Sequence, residues 1–418
     1  MTPLKIGFLG ASRGMSYAEL LPADYPYARV SAICEAYEPL CKKAGDFFRD
    51  KGLHVACYTD FDTMLNQSSI DALVIANFAN AHAPYAIRAL EKGIHVFSEV
   101  LPVQTLAEAV QLCEAVENSG CVYAYGENYC CFDTCFAMRR LYEAGDIGEA
   151  VCLEGTFIND CSPRWELLTR GQRDHWRNYV PSTFYCTHSI GPMLYATGRR
   201  AVRVNGLEIP RMSYMAEGGA RSGSAAMEVM ELDNGGMARS MNGNLRHPYE
   251  ASYRLIGENG SIVCDTHSLK ICRPGSGSEY VCTDVPFPCP DFPFRPASGN
   301  GSITHSDGTM FGYFIGTLLG EETCRKYTID IYGALDMALP GLLAYRSIVA
   351  KGTPFDVPDF RDKTVRAKYA DDYYSTDPAV PEKFRLPTTK YGTPEVDESV
   401  YAAVREKFSR HDLTPGMK

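Results

Sequence analysis

A doubly wound parallel α/β sheet followed by an α+β half, built on a mostly antiparallel open sheet, is the architecture this sequence predicts. Three observations predict it. Short apolar strands and helix-length segments alternate from Lys5 to Tyr125. After about Glu127 the text changes to longer strand-like runs joined by turn signals. At 418 residues, 45% of them hydrophobic, the chain is too long for one typical domain and rich enough to fill two cores.

The first strand is Lys5-Ile6-Gly7-Phe8-Leu9-Gly10, and Ala11 to Gly14 forms a turn after it. A helix-length connection, broken early by Pro22 and Pro26, leads to a second strand over Arg29 to Cys34 that ends at Glu35. The apolar run Ala72 to Ala76 is the next clear strand. Ala83 to Lys92 reads as a helix closed by Gly93, His95 to Glu99 as a strand, Leu106 to Asn118 as a helix and Val122 to Tyr125 as a strand. In the second half a helix over Cys135 to Ala144 precedes strands at Val151 to Asn159, Val202 to Ile209, Ala225 to Leu232, Met237 to Asn242 and Tyr253 to Ile256. Asp233-Asn234-Gly235-Gly236 and Glu258-Asn259-Gly260 are turn signals between them. Arg273 to Gly301 reads as a long loop region beside a site, helices resume at Phe311 to Gly320 and Ile329 to Ala350, and the Pro-, Asp- and Tyr-rich tail beyond Pro354 is expected to wrap the body or a partner subunit. The expected division is 1–130 for a cofactor domain, 131–360 for a substrate and assembly domain, and 361–418 for an extension.

A formal charge of −10 argues against nucleic acid or an anionic membrane as the main partner. No apolar run approaches the ~20 residues of a membrane span. The first residues lead straight into a strand, so no signal peptide is expected, and sixteen cysteines then read as reduced thiols in a cytoplasm. Cys130, Cys131 and Cys135 lack zinc-site spacing, so they read as small buried thiols and no metal is expected.

The first strand-turn-helix is a dinucleotide site of Rossmann type. Glycines let a pyrophosphate approach backbone N–H groups, although Ser12 stands where a second glycine is usual and Gly14 comes one place early. Gly10, Ser12, Arg13 and Gly14 are the candidate phosphate-loop residues. Glu35 suits the hydroxyls of an adenosine ribose and would repel a 2′-phosphate, which favours NAD. Asn77, Asn80 and His82 follow the Ala72–Ala76 strand and line the nicotinamide half, with capping of a helix as the other reading of His82. Glu99 and Glu127 end the next two strands at the same crevice mouth, where carboxylates can hold ribose or sugar hydroxyls or stand as solvated loop acids; Glu99 and the following Asn128 are candidates for the cofactor. Arg164, Trp165, Arg173, His175 and Trp176 form a cluster suited to a hydroxylated ring, or to anchoring a loop. Just beyond it, Tyr185 and His188 stand one turn apart at the start of a helix expected to end at Thr197-Gly198, so both rings can serve one substrate as proton carriers, with a buried Tyr and a satisfied His at a helix start as the other reading.

Together these residues resemble the Gfo/Idh/MocA oxidoreductases from about Lys5 to Phe360, including His82-Ala83-Pro84 and the Ala89-Leu90-Glu91-Lys92-Gly93-Ile94-His95-Val96 unit. Members commonly follow that last strand with Glu-Lys-Pro. Here the text is Glu99-Val100-Leu101-Pro102, without the Lys. A narrower group that lacks this Lys, the NAD-dependent redox glycosidases of glycoside hydrolase family 109, is similar at Tyr185 to Pro192, with Cys186, Ser189 and Ile190 as substitutions. Glu127-Asn128-Tyr129, His305-Ser306-Asp307-Gly308, Asp330-Ile331-Tyr332 and Pro358-Asp359-Phe360 extend the resemblance. It implies glycoside cleavage by transient C3 oxidation, elimination, hydration and re-reduction. His188 would then take the C3 hydroxyl proton and Tyr185 act near C2, or the reverse, with Glu127, Arg164, Trp165, Trp176 and His305 toward the sugar. It also implies a homo-oligomer, dimer or tetramer, paired through the second domain's sheet. A net NAD-dependent dehydrogenase on a sugar, glycoside or inositol and a non-catalytic NAD-binding sensor are the alternatives.

Overall fold

The structure, a computed structural model, describes residues 2–296 and 302–411, excepting the side chains of 302–304. Six parallel strands form the first sheet: β1 (Leu4–Leu9), β2 (Ala28–Cys34), β3 (Ala56–Tyr58), β4 (Ala72–Ile75), β5 (His95–Glu99) and β6 (Tyr123–Gly126), in the order β3-β2-β1-β4-β5-β6. β4 is wholly buried because helices cover both faces, so it reads as a continuous apolar run rather than an alternating one. On one face, Leu9, Leu73, Ile75 and Val96 pack against the His82–Glu91 and Leu106–Ser119 helices. On the other, Ile6, Phe8, Val74 and Phe97 meet Met15, Leu40 and Phe48, and also Phe311 and Phe314 of the Ser302–Leu318 helix. A helix from late in the chain thus completes the first core.

The second sheet has nine strands: β7 (Ala150–Ile158), β8 (Ala201–Ile209), β9 (Ala225–Leu232), β10 (Met237–Gly243), β11 (Glu250–Gly257), β12 (Gly260–Asp265), β13 (Leu269–Pro274), β14 (Tyr280–Asp284) and β15 (Phe355–Asp356). Their order is β14-β13-β12-β11-β7-β10-β9-β8-β15, antiparallel except for the β7–β10 pair. The predicted turns at Asp233 to Gly236 and Glu258 to Gly260 join β9 to β10 and β11 to β12. The Ile331–Val349 helix and the Tyr185 segment cover one face. The other face is open and carries Leu207, Val229 and Met237, all exposed.

Several expectations need correction. A helix (Glu38–Asp50), the short β3 and a second helix (Phe61–Gln67) fill the stretch between Glu35 and Ala72. The first connection holds only a six-residue helix, Arg13–Ala18. The Arg273–Gly301 region contains strand β14, paired with β13 and tied to it by a Cys272–Cys282 disulfide; residues 297–301 lie outside the described residues. The other fourteen cysteines are free, as expected for thiols, and Cys130, Cys131 and Cys135 are fully buried. The tail wraps its own body. Arg366 forms two 2.6 Å bonds to Glu117, Arg346 meets Asp372 at 2.7 Å, and Asp377 reaches Asn80 and Tyr179 at 3.0 Å each. No helix among the described residues is long and apolar enough to cross a membrane.

Candidate active site

The Tyr185 segment is helical but not one helix. A 3-10 turn (Ser182–Tyr185) runs into Cys186–Ser189, Ile190 interrupts, and Gly191–Thr197 follows, closed by Gly198 at φ +67°. Tyr185 and His188 still share a side, their rings 5.4 Å apart. The segment sits directly on the second sheet. A Cβ on Gly155 of β7 would overlap the Ser189 carbonyl, so only glycine permits this approach. The Ser189 hydroxyl meets Ser240 at 2.7 Å and Asn242 at 2.5 Å, and Tyr253 donates to the His188 carbonyl at 2.8 Å.

Glu127, fully buried at the end of β6, places both carboxylate oxygens on His188 Nδ1, at 2.8 and 2.9 Å. This contact assigns the proton to Nδ1 and leaves Nε2 as the ring's acceptor. Tyr129 lies against the imidazole at 4.3 Å and Phe157 edge-on at 4.7 Å, while Tyr249 donates to the Tyr129 hydroxyl at 2.8 Å. The Tyr185 oxygen accepts from Arg177 at 3.0 Å. Burial raises the Tyr185 phenol above its ordinary range, and Arg177 opposes that rise. Glu127, expected on substrate, is therefore the partner that orients His188. Arg177, one residue beyond the predicted aromatic–basic cluster, is the group sequence reading missed.

Around the first sheet, Gly10 has φ +97°, and a Cβ there would lie 2.6 Å from the Ala76 carbonyl oxygen, so the loop after β1 requires glycine. Gly14 meets no such limit; its nearest neighbour to an added Cβ is 3.8 Å away. Ser12 is exposed and makes no capping bond. Glu35 accepts from the Ala11 N–H at 2.9 Å and the Tyr37 N–H at 3.0 Å, which holds its carboxylate beside the loop. The side-chain oxygens of Asn77 and Asn80 are buried without a hydrogen-bond partner, which suits donors of a bound dinucleotide. Gly10, Glu35, Asn77 and Asn80 thus have the backbone freedom, carboxylate position and open acceptors that a dinucleotide would use, whereas Ser12 and Gly14 show no constraint of their own.

The remaining cofactor candidates have other engagements. Arg13 donates from Nε to Glu99 at 2.6 Å and in a fork to Asp307 at 2.7 and 2.8 Å. Tyr17 also donates to Glu99 at 2.6 Å, and Asn128 to Asp307 at 3.1 Å. Burial pushes the Glu99 carboxyl up, but Arg13 and Tyr17 outweigh it and hold Glu99 below its ordinary range. His82 is a backbone clamp, its Nδ1 2.8 and 2.9 Å from the Glu99 and Leu101 carbonyls and its Nε2 3.3 Å from that of Asn77. Burial lowers its pKa. These contacts fit the other reading of His82, a structural role at the start of the His82–Glu91 helix.

Toward the sugar, Trp165 donates to Asn178 at 3.2 Å within a small apolar cluster with Cys161, Met215 and Ala220, the loop-anchoring alternative. Arg164 lies beside the same Cys161. Trp176 is buried under Arg177, 4.5 Å from its guanidinium, and stacks on His175, whose pKa burial and nearby Arg177 lower to about 3. His305 is drawn to Asp133 at 3.6 Å instead of to the Tyr185–His188 pair.

Residues 4–127 match the model of the Gfo/Idh/MocA group, described as an oxidoreductase family with an NAD-binding Rossmann fold. Over 402 residues, covering 86% of this chain and 85% of the other, the sequence is 24% identical to an α-N-acetylgalactosaminidase of Shewanella oneidensis. The same figures hold for a glycosyl hydrolase family 109 protein of Shewanella baltica. Among solved structures, levoglucosan dehydrogenase with NADH and L-sorbose superposes with a TM-score of 0.68 at 20% identity, over 86% of this chain and all of that one. An inositol dehydrogenase homologue with NAD+ from Azotobacter vinelandii gives 0.68 at 17%, over 85% and 97%. Residues 4–127 thus match the NAD-binding Rossmann fold of the Gfo/Idh/MocA oxidoreductases, and the cofactor this match indicates is NAD.

Proposed function

We propose that the protein cleaves glycosides by transient oxidation at C3, elimination, hydration and re-reduction. One observation carries this reading: two proton carriers stand side by side with opposite support, His188 on the Glu127 carboxylate and Tyr185 under the Arg177 guanidinium. Elimination needs two such groups, one at the C3 hydroxyl and one at C2. NAD+, which Gly10, Glu35, Asn77 and Asn80 would hold, would supply a hydride acceptor for C3 and the hydride for the final reduction. His188 Nε2 takes the C3 hydroxyl proton while Glu127 steadies the imidazolium. The ketone acidifies the C2 proton, which Tyr185 as the phenolate steadied by Arg177 would take while the bond from C1 to the aglycone breaks, and the phenol proton then goes to the departing aglycone. Tyr249, exposed beside Phe157, offers an aromatic ring to the apolar face of a sugar, while the buried Tyr129 and Phe157 hold the imidazole. The names of the relatives that span most of this chain support cleavage, and Val100, in place of the usual Lys, leaves the Tyr–His pair as the principal proton carriers.

The second reading, net oxidation of a sugar, glycoside or inositol, is favoured by the shared fold of levoglucosan dehydrogenase. The assay that separates them follows aglycone release and NADH absorbance with chromogenic α- and β-glycosides. Release without stoichiometric NAD+ is expected. Net NADH formation would replace the first reading with the second, and silence across a broad panel would leave an NAD-binding sensor. His188→Ala is expected to abolish turnover and retain NAD; an unchanged rate removes the pair from the mechanism.

The domain division at 130 and 360 is kept as part of this reading, with residues 361–418 as an extension. A dimer or tetramer paired through the open sheet face is proposed on the exposed Leu207, Val229 and Met237, and a cytoplasmic location on the fourteen free thiols.

A further inference from the structure

Away from the Tyr–His pair, three donor atoms of different chemistry converge from separate parts of the chain. Asp133 opens the Asp133–Glu143 helix, whose N-cap is Phe132. His305 stands in the first turn of the Ser302–Leu318 helix, its Nδ1 3.6 Å from Asp133 Oδ2. Cys289 lies in the proline-rich loop after β14. Its sulfur, an imidazole nitrogen of His305 and a carboxylate oxygen of Asp133 all lie within 4.8 Å of one another, and all three residues are half-buried. Zinc distances of ~2.3 Å to sulfur and ~2.0–2.2 Å to nitrogen or oxygen require adjustments on the order of 1 Å from this arrangement.

We propose that Asp133, Cys289 and His305 bind a borderline divalent cation, Zn2+ by its donor set, with the fourth position open to water. The mixture of sulfur, nitrogen and oxygen argues against Mg2+ or Ca2+, which take oxygen ligands. One thiolate, one carboxylate and a neutral imidazole balance the two positive charges, so the partly buried site carries no net charge. Coordination therefore releases the thiol proton to solvent. The bond would fasten the loop to both helices. His305 is two residues before Asp307, which grips Arg13 and Asn128, so the same cation braces the helix that closes the first core. The expectation of no metal came from Cys130, Cys131 and Cys135; this triad is separate and does not depend on what the enzyme cleaves.

The test titrates the full-length protein, stripped with EDTA and kept reduced by a phosphine, with Co2+. One equivalent is expected to bind with a thiolate-to-Co2+ charge-transfer band that Zn2+ abolishes. Cys289→Ser should remove the band. His305→Ala and Asp133→Asn should each weaken binding by roughly tenfold or more. Cys57→Ser, which alters an exposed thiol, should change nothing. Retained NAD binding verifies that each variant is folded. A band that survives Cys289→Ser, a band lost in Cys57→Ser, or wild-type affinity weaker than about 1 mM overturns the proposal.

Discussion

At the level of single residues, the decisive contact is Glu127 on His188 Nδ1. A carboxylate there fixes which nitrogen carries the proton and stabilises the imidazolium as it forms, so its loss acts through the histidine. Glu127→Gln is expected to lower kcat on the order of 10³-fold with little change in NAD affinity. Steady-state kinetics beside a fluorescence titration with NADH would check this, and equal losses in both would assign Glu127 to cofactor binding instead. The sequence reading placed Glu127 at the correct mouth because carboxyl ends of parallel strands converge there. It could not find the bond, because 61 residues separate the partners and helical spacing speaks only for near neighbours. Arg13 shows the same limit. Its position in the phosphate loop is legible, but its partners at 99 and 307 belong to distant text.

Among the secondary-structure elements, the Tyr185 segment depends on what lies beneath it. Gly155 lets the Ser189 carbonyl rest on β7, and a methyl group there must push the segment away. Gly155→Ala is expected to cost about 1–3 kcal/mol of stability and most of the activity. Thermal unfolding and turnover measured together test it; full activity would mean that the segment position does not matter. Strand alternation and the turn at Asp233 to Gly236 made the antiparallel β9–β10 hairpin legible, since period-2 burial and glycine-rich turns are sequence-local signals. The parallel β7–β10 pair was not legible, because pairing partners across a sheet leave no periodic mark. The same is true of β3, three residues long.

For the whole molecule, pH stability follows a buried acid. Glu228 is fully buried on β9, held by Asn242 at 2.9 and 3.1 Å, and burial raises its pKa to about 8 despite the hydrogen bonds from Ser240 and Asn242. A raised folded-state pKa means that the native protein keeps a proton the unfolded chain has lost. The contribution is therefore complete below the unfolded value and is lost as pH rises toward 8. Glu228→Gln should flatten this decline by a few kcal/mol between about pH 5 and about pH 8, read from denaturant midpoints. A decline of unchanged size would place the titrating group elsewhere. The tail, too, acts on the whole. Asp377 holds Asn80, on the cofactor side of the crevice, and Tyr179, on the substrate side, with one carboxylate oxygen. That one atom of the tail ties the two sides of the crevice together. For the proposed cycle, in which the same nicotinamide would give back what it took, such a tie would keep the crevice at one width from the first hydride step to the last.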